Sequence, residues 1–362
     1  MLTESQREAD LARTRDITVI GAGPTGLIAG FWAGMRRASC RIVDTLPGLG
    51  GQLMALYPDK PIYDVPGYVE VKARDLVAVL ARQSLDPFDI PVHLETTALS
   101  VVRVPDPERP GESLVAVDTD RGRFLSRTLI IAAGHGAFKP KTLPQIDCDM
   151  WLGKGLHYFV PGKEAFRNRR VAIVGGGDSA CDWAVELLDT AREITLVHRR
   201  EGFTAHEHTR ERIRMAESQG KMNLAIPYQV RQIVGEDRVR GIRLGHSRSP
   251  GDECAFDVDD ILVQLGFQTG LGPLANWGFA IDRGAIVVDE LMRTSLADVW
   301  ACGDVVASAT KIRLIATGFA QAAVAVSHAV SAIRPETELQ PEHSTTTGVP
   351  ATSGDDRTSA GV

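Results

Sequence analysis

The sequence predicts an α/β chain of two doubly wound, Rossmann-like dinucleotide-binding domains, the second inserted in the first. Three observations predict it. The stretch ITVIGAGPTGLIAGFWAGMRRASCRIVD, ending at Asp44, reads as strand, glycine turn, helix and strand. RRVAIVGGGDSACDWAVELLDTAREITLVHRR, ending at Arg200, repeats that plan. Each is the unit of a parallel sheet. The first unit needs further strands to complete its sheet, and the run GAIVVDELMRTSLADVWACGDV near the C-terminus supplies them.

The elements follow in order. MLTESQREADLARTRD is charged throughout and carries no apolar run, so no secretory signal is expected. The β-branched run before Gly21 suits a strand, and the apolar spacing after it suits a helix. SLVAVDTD and RTLIIAAG read as strands set off by PDPERPGE, and RVRGIRLG and DILVQLGF as strands after the second unit. An apolar helix is expected from about Thr317 to Ile333. The polar tail, rich in Pro, Gly, Ser and Thr, reads as disordered in its final part. The expected division is 1–137 plus 285–335 for the first domain, 138–284 for the insert, and 336–362 for a C-terminal segment and tail.

The totals exclude several classes. The chain has 362 residues, 44% hydrophobic and 24% charged, an ordinary globular composition. No segment is expected to span a bilayer, and no nucleic-acid or membrane partner is indicated. Five scattered cysteines without a Cys-x-x-Cys fit a reducing cytoplasm and buried packing roles. The net charge is −6, yet Lys139 to Arg243 carries 18 basic and 14 acidic residues, a net of +4. That is either plain solvated surface or a face for an anionic cofactor or acidic protein.

Gly21-x-Gly23-x-x-Gly26 follows a strand and opens a helix. The glycines serve the tight turn, the approach of a pyrophosphate and close helix–strand packing. Asp44 ends the next strand, where a carboxylate can accept hydrogen bonds from ribose hydroxyls. In the second copy the expected contacts are Gly175, Gly177, Asp178 and Ser179 on the turn. There the next strand ends in His198, Arg199 and Arg200 instead of an acid. Two arginines offer forked, charged donors to a 2′-phosphate, so NADPH is expected at this site; the plainer alternative is a solvated basic corner. The acid-ended first site suits FAD. His206-x-His208 lacks an evident third ligand, so no metal is expected.

GAGPTGL, LPGLGGQLMALYPDKPIYDVPG, AAGHGAFKP, LHYFVPGKEAF, GGGDSACDWA, HRREGF and VWACGDV together carry a resemblance. The chain resembles the thioredoxin-reductase-like flavoproteins and, within them, the type 2 ferredoxin/flavodoxin–NADP reductases, from about Asp16 to Thr346. The resemblance implies a homodimeric enzyme that passes hydride from NADPH to FAD and single electrons to ferredoxin or flavodoxin. Thioredoxin reductases hold a redox Cys-x-x-Cys where this chain has His157, Tyr158, Phe159 and Val160, so no dithiol relay is expected. It also implies residue roles. Gly21, Gly23, Thr25 and Gly26 wrap the FAD pyrophosphate, and Asp44 the ribose. Gln52 lies by the ring system, Tyr57 stacks on one flavin face, and Ala98 touches the adenine. Phe138 lines the approach to the ring. Gly303 and Asp304 belong to the turn that binds the ribityl chain. The 336–346 segment covers the other flavin face, with His343 on the ring and Thr345 close by. One departure stands out: the family's third arginine after the second unit is Thr204 here. Two other readings remain at this stage. One is an NADPH-dependent reductase of quinones, ferric chelates or another flavoprotein, and the other a redox-sensing protein that binds FAD and NADP without turnover.

Overall fold

The fold is seen in a computed structural model that describes residues 3–136, 139–144, 146–160, 162–268, 270–309, 311–340 and 343–350. The chain divides into two units: Met1–Ala137 with Thr269–Val362, and Phe138–Gln268. The return crossing thus falls at 268/269, not at the expected 284/285. Leu271, Leu274, Trp277 and Phe279 belong to the first unit's core, and Trp277 Nε1 donates to Leu99 O at 3.0 Å. These residues sit in a short 3-10 turn, Gly272–Asn276, and irregular chain, so no helix or strand period marks them in the sequence.

In the first unit the strand order is Val92–His93, Cys40–Val43, Arg15–Ile20, Gly122–Ile131, Ser113–Thr119, Ala98–Pro105. The first three pairings are parallel, as is that of Val299–Ala301 with Gly122–Ile131. The last two are antiparallel. Ile17, Val19, Ile42, Val43, Leu129, Ile130 and Ile131 are fully buried. Such unbroken apolar runs belong to strands covered on both faces.

The helix Ile315–Ile333 is the apolar helix expected over about 317–333, starting two residues earlier. Its 19 residues are long and apolar enough to cross a bilayer by length and composition alone. Yet Ala322, Ala325, Val326, Ala329 and Val330 are fully buried in the first unit's core, where the helix packs on the helix Pro24–Met35. Its apolar length therefore serves tertiary packing.

A buried ion cluster ties the N-terminal helix Glu4–Leu11 to the sheet. Asp10 accepts from Arg15 Nε at 2.9 Å and lies 3.1 Å from Arg41 Nε and 2.9 Å from His93 Nε2. The Arg41 guanidinium stacks 4.9 Å from the Phe124 ring centroid. Burial pushes the Arg41 pKa down to about 10, with Asp10 opposing. Breaking such a group by removing one partner leaves the other charged and buried.

The second unit has a five-stranded parallel sheet, ordered Leu156–His157, Asp260–Val263, Arg170–Val174, Glu193–Val197, Met222–Ala225. Helices Asp178–Glu186 and Glu207–Ser218 contribute to the core on one side. An antiparallel layer, Tyr228–Gly235, Val239–His246 and Glu253–Asp257, contributes to the other.

Burial by itself would raise the Asp10 carboxyl, but the His93 hydrogen bond and the Arg41 and Arg15 charges hold it below the usual range. A lowered folded-state pKa gives stability that is present above about pH 4 and lost as pH falls through the folded value. Asp10→Asn should therefore be less stable than wild type at pH 7 in urea unfolding, with the gap closing towards pH 3. A gap of constant size would show that the Asp10 charge does not anchor the helix.

Candidate cofactor sites

In the first glycine turn each glycine does a separate job. Gly21 has φ +112°, and a Cβ there would stand 2.4 Å from Ala132 O. A Cβ on Gly26 would stand 1.8 Å from Gly21 O, so this glycine lets helix and strand meet. Gly23 caps the helix Pro24–Met35, and a Cβ there would meet nothing within 4 Å. That open space adjoins a helix N-terminus, whose ladder starts only where Leu27 N donates to Gly23 O at 2.9 Å. The N–H groups before it favour an anion. The cradle fits a dinucleotide pyrophosphate.

Asp44 is already engaged. Its Oδ2 accepts from Ala22 N at 2.6 Å and its Oδ1 from Leu46 N at 2.8 Å. Burial raises its pKa against those two bonds. Each carboxylate oxygen keeps a lone pair for a hydroxyl. Thr96 N donates to Asp44 O at 2.9 Å, and Ala98, two residues past Thr96, is buried at the start of its strand.

The Gly50–Gly51 turn lies against the same cradle. Gly50 N donates to Ala22 O at 2.8 Å, and a Cβ on Gly51 would be 3.2 Å from Gly23 Cα. Gln52 opens the short helix Gln52–Leu56, and its Nε2 is 3.7 Å from where a Gly134 Cβ would be. Tyr57 ends that helix. Burial raises its phenol, and the Asp304 and Asp64 carboxylates add to the shift.

Thr25 links this cradle to the C-terminal part of the unit. Its Oγ1 would be 2.9 Å from a Cβ on Gly303 and 2.3 Å from one on Gly318. Gly303 has φ +79°. The Thr25 side chain thus packs against Gly303 and Gly318 while remaining partly exposed. Cys302, next to Gly303, is fully buried, and burial pushes its thiol to about 12, so it packs rather than reacts. Lys311 and Gln321 close around this turn and had no signal in the sequence: a lone lysine in a polar loop and a glutamine inside a helix.

His343 caps the short helix Ser344–Thr347, and His343 and Thr345 are both exposed. Phe138 lies outside the described residues.

The second turn reproduces the first within its own unit. Gly175 has φ +156°, and a Cβ there would stand 2.3 Å from Gln264 O and 2.8 Å from Ala180 Cβ. Gly177 caps the helix Asp178–Glu186, with only Thr204 Oγ1, at 3.9 Å, near a Cβ. Asp178 and Ser179 are exposed at the helix start, and Asp178 Oδ1 accepts from His206 N at 3.1 Å.

His198 lies under the turn: its ring would be 2.3 Å from a Gly176 Cβ and is 5.6 Å from the Phe203 ring. Burial lowers its pKa, a hydrogen bond with Gly202 opposes this, and the Arg200 and Arg199 charges lower it further. A neutral imidazole supports the turn and adds no charge to the arginines. Arg199 and Arg200 are exposed and enter no ion pair among the described residues. The neighbouring Glu201 is taken by Arg248 at 2.9 Å. Thr204 is held too, donating from N at 2.8 Å and from Oγ1 at 3.2 Å to Gly176 O. Arg210 is paired with Glu207.

The 157–160 segment is built into the second unit. His157 Nε2 is 3.1 Å from Asp260 Oδ1, Tyr158 O accepts from Gln264 Nε2 at 3.1 Å, and Val160 is buried. All five cysteines are free. Among the described residues no three His, Cys, Asp or Glu side chains gather to hold a metal.

Two glycine turns of this kind, each in its own parallel-sheet unit, define a two-nucleotide oxidoreductase fold. Residues 15–329 match the pyridine nucleotide-disulphide oxidoreductase family, and the chain belongs to it. It is 44% identical over 338 residues to a ferredoxin–NADP reductase of Thermus thermophilus, covering 93% of this chain and 98% of that one. With ferredoxin–NADP reductase 2 of Bacillus subtilis it shares 41% over 330 residues, 91% and 96% of the two chains. Among solved structures the fold is similar to thioredoxin reductase of T. acidophilum, at 22% identity and TM-score 0.66, covering 89% and 99% of the two chains.

Gly23→Ala and Gly26→Ala separate ligand space from packing space. Gly23→Ala should leave the cofactor-free chain within about 1 kcal/mol of wild type, while dinucleotide affinity falls sharply. Gly26→Ala should destabilise the chain by about 2 kcal/mol or more. Unfolding and cofactor titrations read both, and undiminished affinity in Gly23→Ala would move the pyrophosphate elsewhere.

Proposed function

We propose that this chain is a ferredoxin–NADP reductase that holds FAD in the first unit and NADPH in the second. The observation that carries the reading is the contrast between the two turns: Asp44 ends the strand after the first, Arg199 and Arg200 the strand after the second. FAD bound in the first unit supplies the conversion of a two-electron hydride donor into a one-electron donor. The rest is the chain's own work. Gly21, Gly23, Thr25 and Gly26 bind the pyrophosphate through backbone and helix end, and Asp44 accepts from the ribose. Gln52, Tyr57, Ala98, Gly303 and Asp304 surround the remainder. Gly175, Gly177, Asp178 and Ser179 receive the NADPH phosphates over His198, while Arg199 and Arg200 read the 2′-phosphate.

The acceptor is ferredoxin, or flavodoxin in its place. The scattered cysteines, four of them buried, and the built-in 157–160 segment support direct transfer to an outside carrier. They also suit a reducing compartment, so we place the protein in the cytoplasm.

The working form is a homodimer. Arg36 Nη2 and Nη1 hold Glu338 O at 2.6 Å and Leu339 O at 3.1 Å, at the far end of the helix Pro24–Met35 from its glycine turn. His343 is four residues on, a reach of at most about 14 Å. From Arg36 back to Gly23 the helix runs about 20 Å. This favours His343 and Thr345 covering the flavin of a second copy.

The decisive experiment is stopped-flow reduction of the purified flavoprotein by NADPH, then mixing with ferredoxin, flavodoxin, quinone and ferric chelates. Ferredoxin should be reduced fastest, with a rate that falls as salt rises if the basic segment guides an acidic carrier. A sample that takes up no flavin sinks the reading. Sedimentation at the mass of a single chain sinks the dimer alone.

Arg199→Ala with Arg200→Ala should weaken NADPH by about 1–3 kcal/mol and leave NADH little changed, as expected for lost charged hydrogen bonds. Comparing KM and Kd for the two nucleotides checks it, and equal losses would show that neither arginine reads the 2′-phosphate.

A further inference from the structure

The turn at Gly303 and Asp304 holds a lysine to which the cofactor reading gives no role. The Lys311 side chain is only 10% exposed and stands 3.7 Å from Asp304 Oδ1. Its ammonium donates to Gly303 O at 2.7 Å and to Gln321 Oε1 at 3.3 Å. Gln321 Oε1 also accepts from Gly303 N at 3.0 Å. One lysine and one glutamine thus hold both backbone polar groups of Gly303.

Hydrogen bonding alone does not call for a lysine, because a neutral donor could serve Gly303 O. Lysine is seldom buried unless its charge is matched. Burial lowers the pKa of Lys311, and Asp304 is the first group that opposes the shift. The surroundings are rich in acid. Asp304 and Asp64 both act on Tyr57, and Asp44 stands at the glycine turn. A dinucleotide brings a doubly charged pyrophosphate into the same cradle. The helix ends at Gly23 and Ile315 offer only partial positive charge. Arg313 is a second full cation near enough to act on Lys311, but it is Lys311 whose ammonium touches the Gly303 turn.

We propose that Lys311 is a positioning residue of the FAD site: its ammonium fixes the Gly303–Asp304 turn and offsets the Asp304 carboxylate, so that an anionic cofactor is tolerated there. The inference rests on the FAD reading above. Adding electrons adds negative charge, which a cation in the same site favours. The charge therefore reaches the flavin's potential as well as its affinity.

The test compares full-length wild type, Lys311→Gln, Lys311→Met and Lys311→Arg for FAD Kd and for the midpoint potential of the bound flavin. Lys311→Gln keeps a donor and loses the charge, so it should behave like Lys311→Met. Both should bind FAD about 10- to 100-fold more weakly, the loss expected for a charge-assisted bond, and both should show a lower potential. Lys311→Arg should recover both readouts. A wild-type potential or wild-type affinity in Lys311→Gln overturns the inference, as does failure of Lys311→Arg to recover them. Should Lys311→Gln not fold, Lys311→Arg still decides. Wild type that takes up no FAD instead brings down the cofactor reading itself.

Discussion

The first unit depends on one close approach, the Thr25 side chain set between Gly303 and Gly318. Thr25 belongs to the N-terminal glycine turn, and the two glycines belong to the C-terminal part of the chain. A Cβ at either point would stand within 2.9 Å of Thr25 Oγ1 and force that side chain to move. This contact brings the N-terminus of the helix Ile315–Ile333 beside that of Pro24–Met35. Two helix ends then face one cradle, and their partial positive charges add. The discontinuity of this unit in sequence is what allows the second unit to be inserted without disturbing it.

The two glycine turns show one geometry put to two uses. In both, the first glycine takes a positive φ and meets a neighbouring carbonyl, and the capping glycine leaves open space before a helix. They differ in what the following strand presents. Asp44 is drawn inward by the Ala22 and Leu46 N–H groups, which leaves a half-buried acceptor. Arg199 and Arg200 are exposed and enter no ion pair among the described residues, while the neighbouring Glu201 is occupied by Arg248. An acid so held suits hydroxyls, and exposed forked cations suit phosphate.

Much of this was legible in the residues. Gly-x-Gly-x-x-Gly, the apolar runs around it and the charge at position 44 or at 199 and 200 all act within a few residues of one another. Turn geometry and strand burial are local consequences of residue type. His198 was legible only in part: its place in the chain suggested a nucleotide contact, while its ring under Gly176 makes it a support. The 270–284 stretch carries no helix or strand period in the sequence, and its membership of the first core comes from Trp277 and Phe279 packing on residues distant in the chain.

The sequence by itself therefore determined the two nucleotide folds, their order and the charge each presents, because those are written in short-range spacing. Tertiary structure alone decided where the chain returns at 268/269, how Lys311 and Gln321 clamp the Gly303 turn, and that Arg36 holds the C-terminal segment far from its own glycine turn. Each of these is a contact between residues remote in the chain. Its strength comes from burial and from the partner met on folding, neither of which a linear pattern carries.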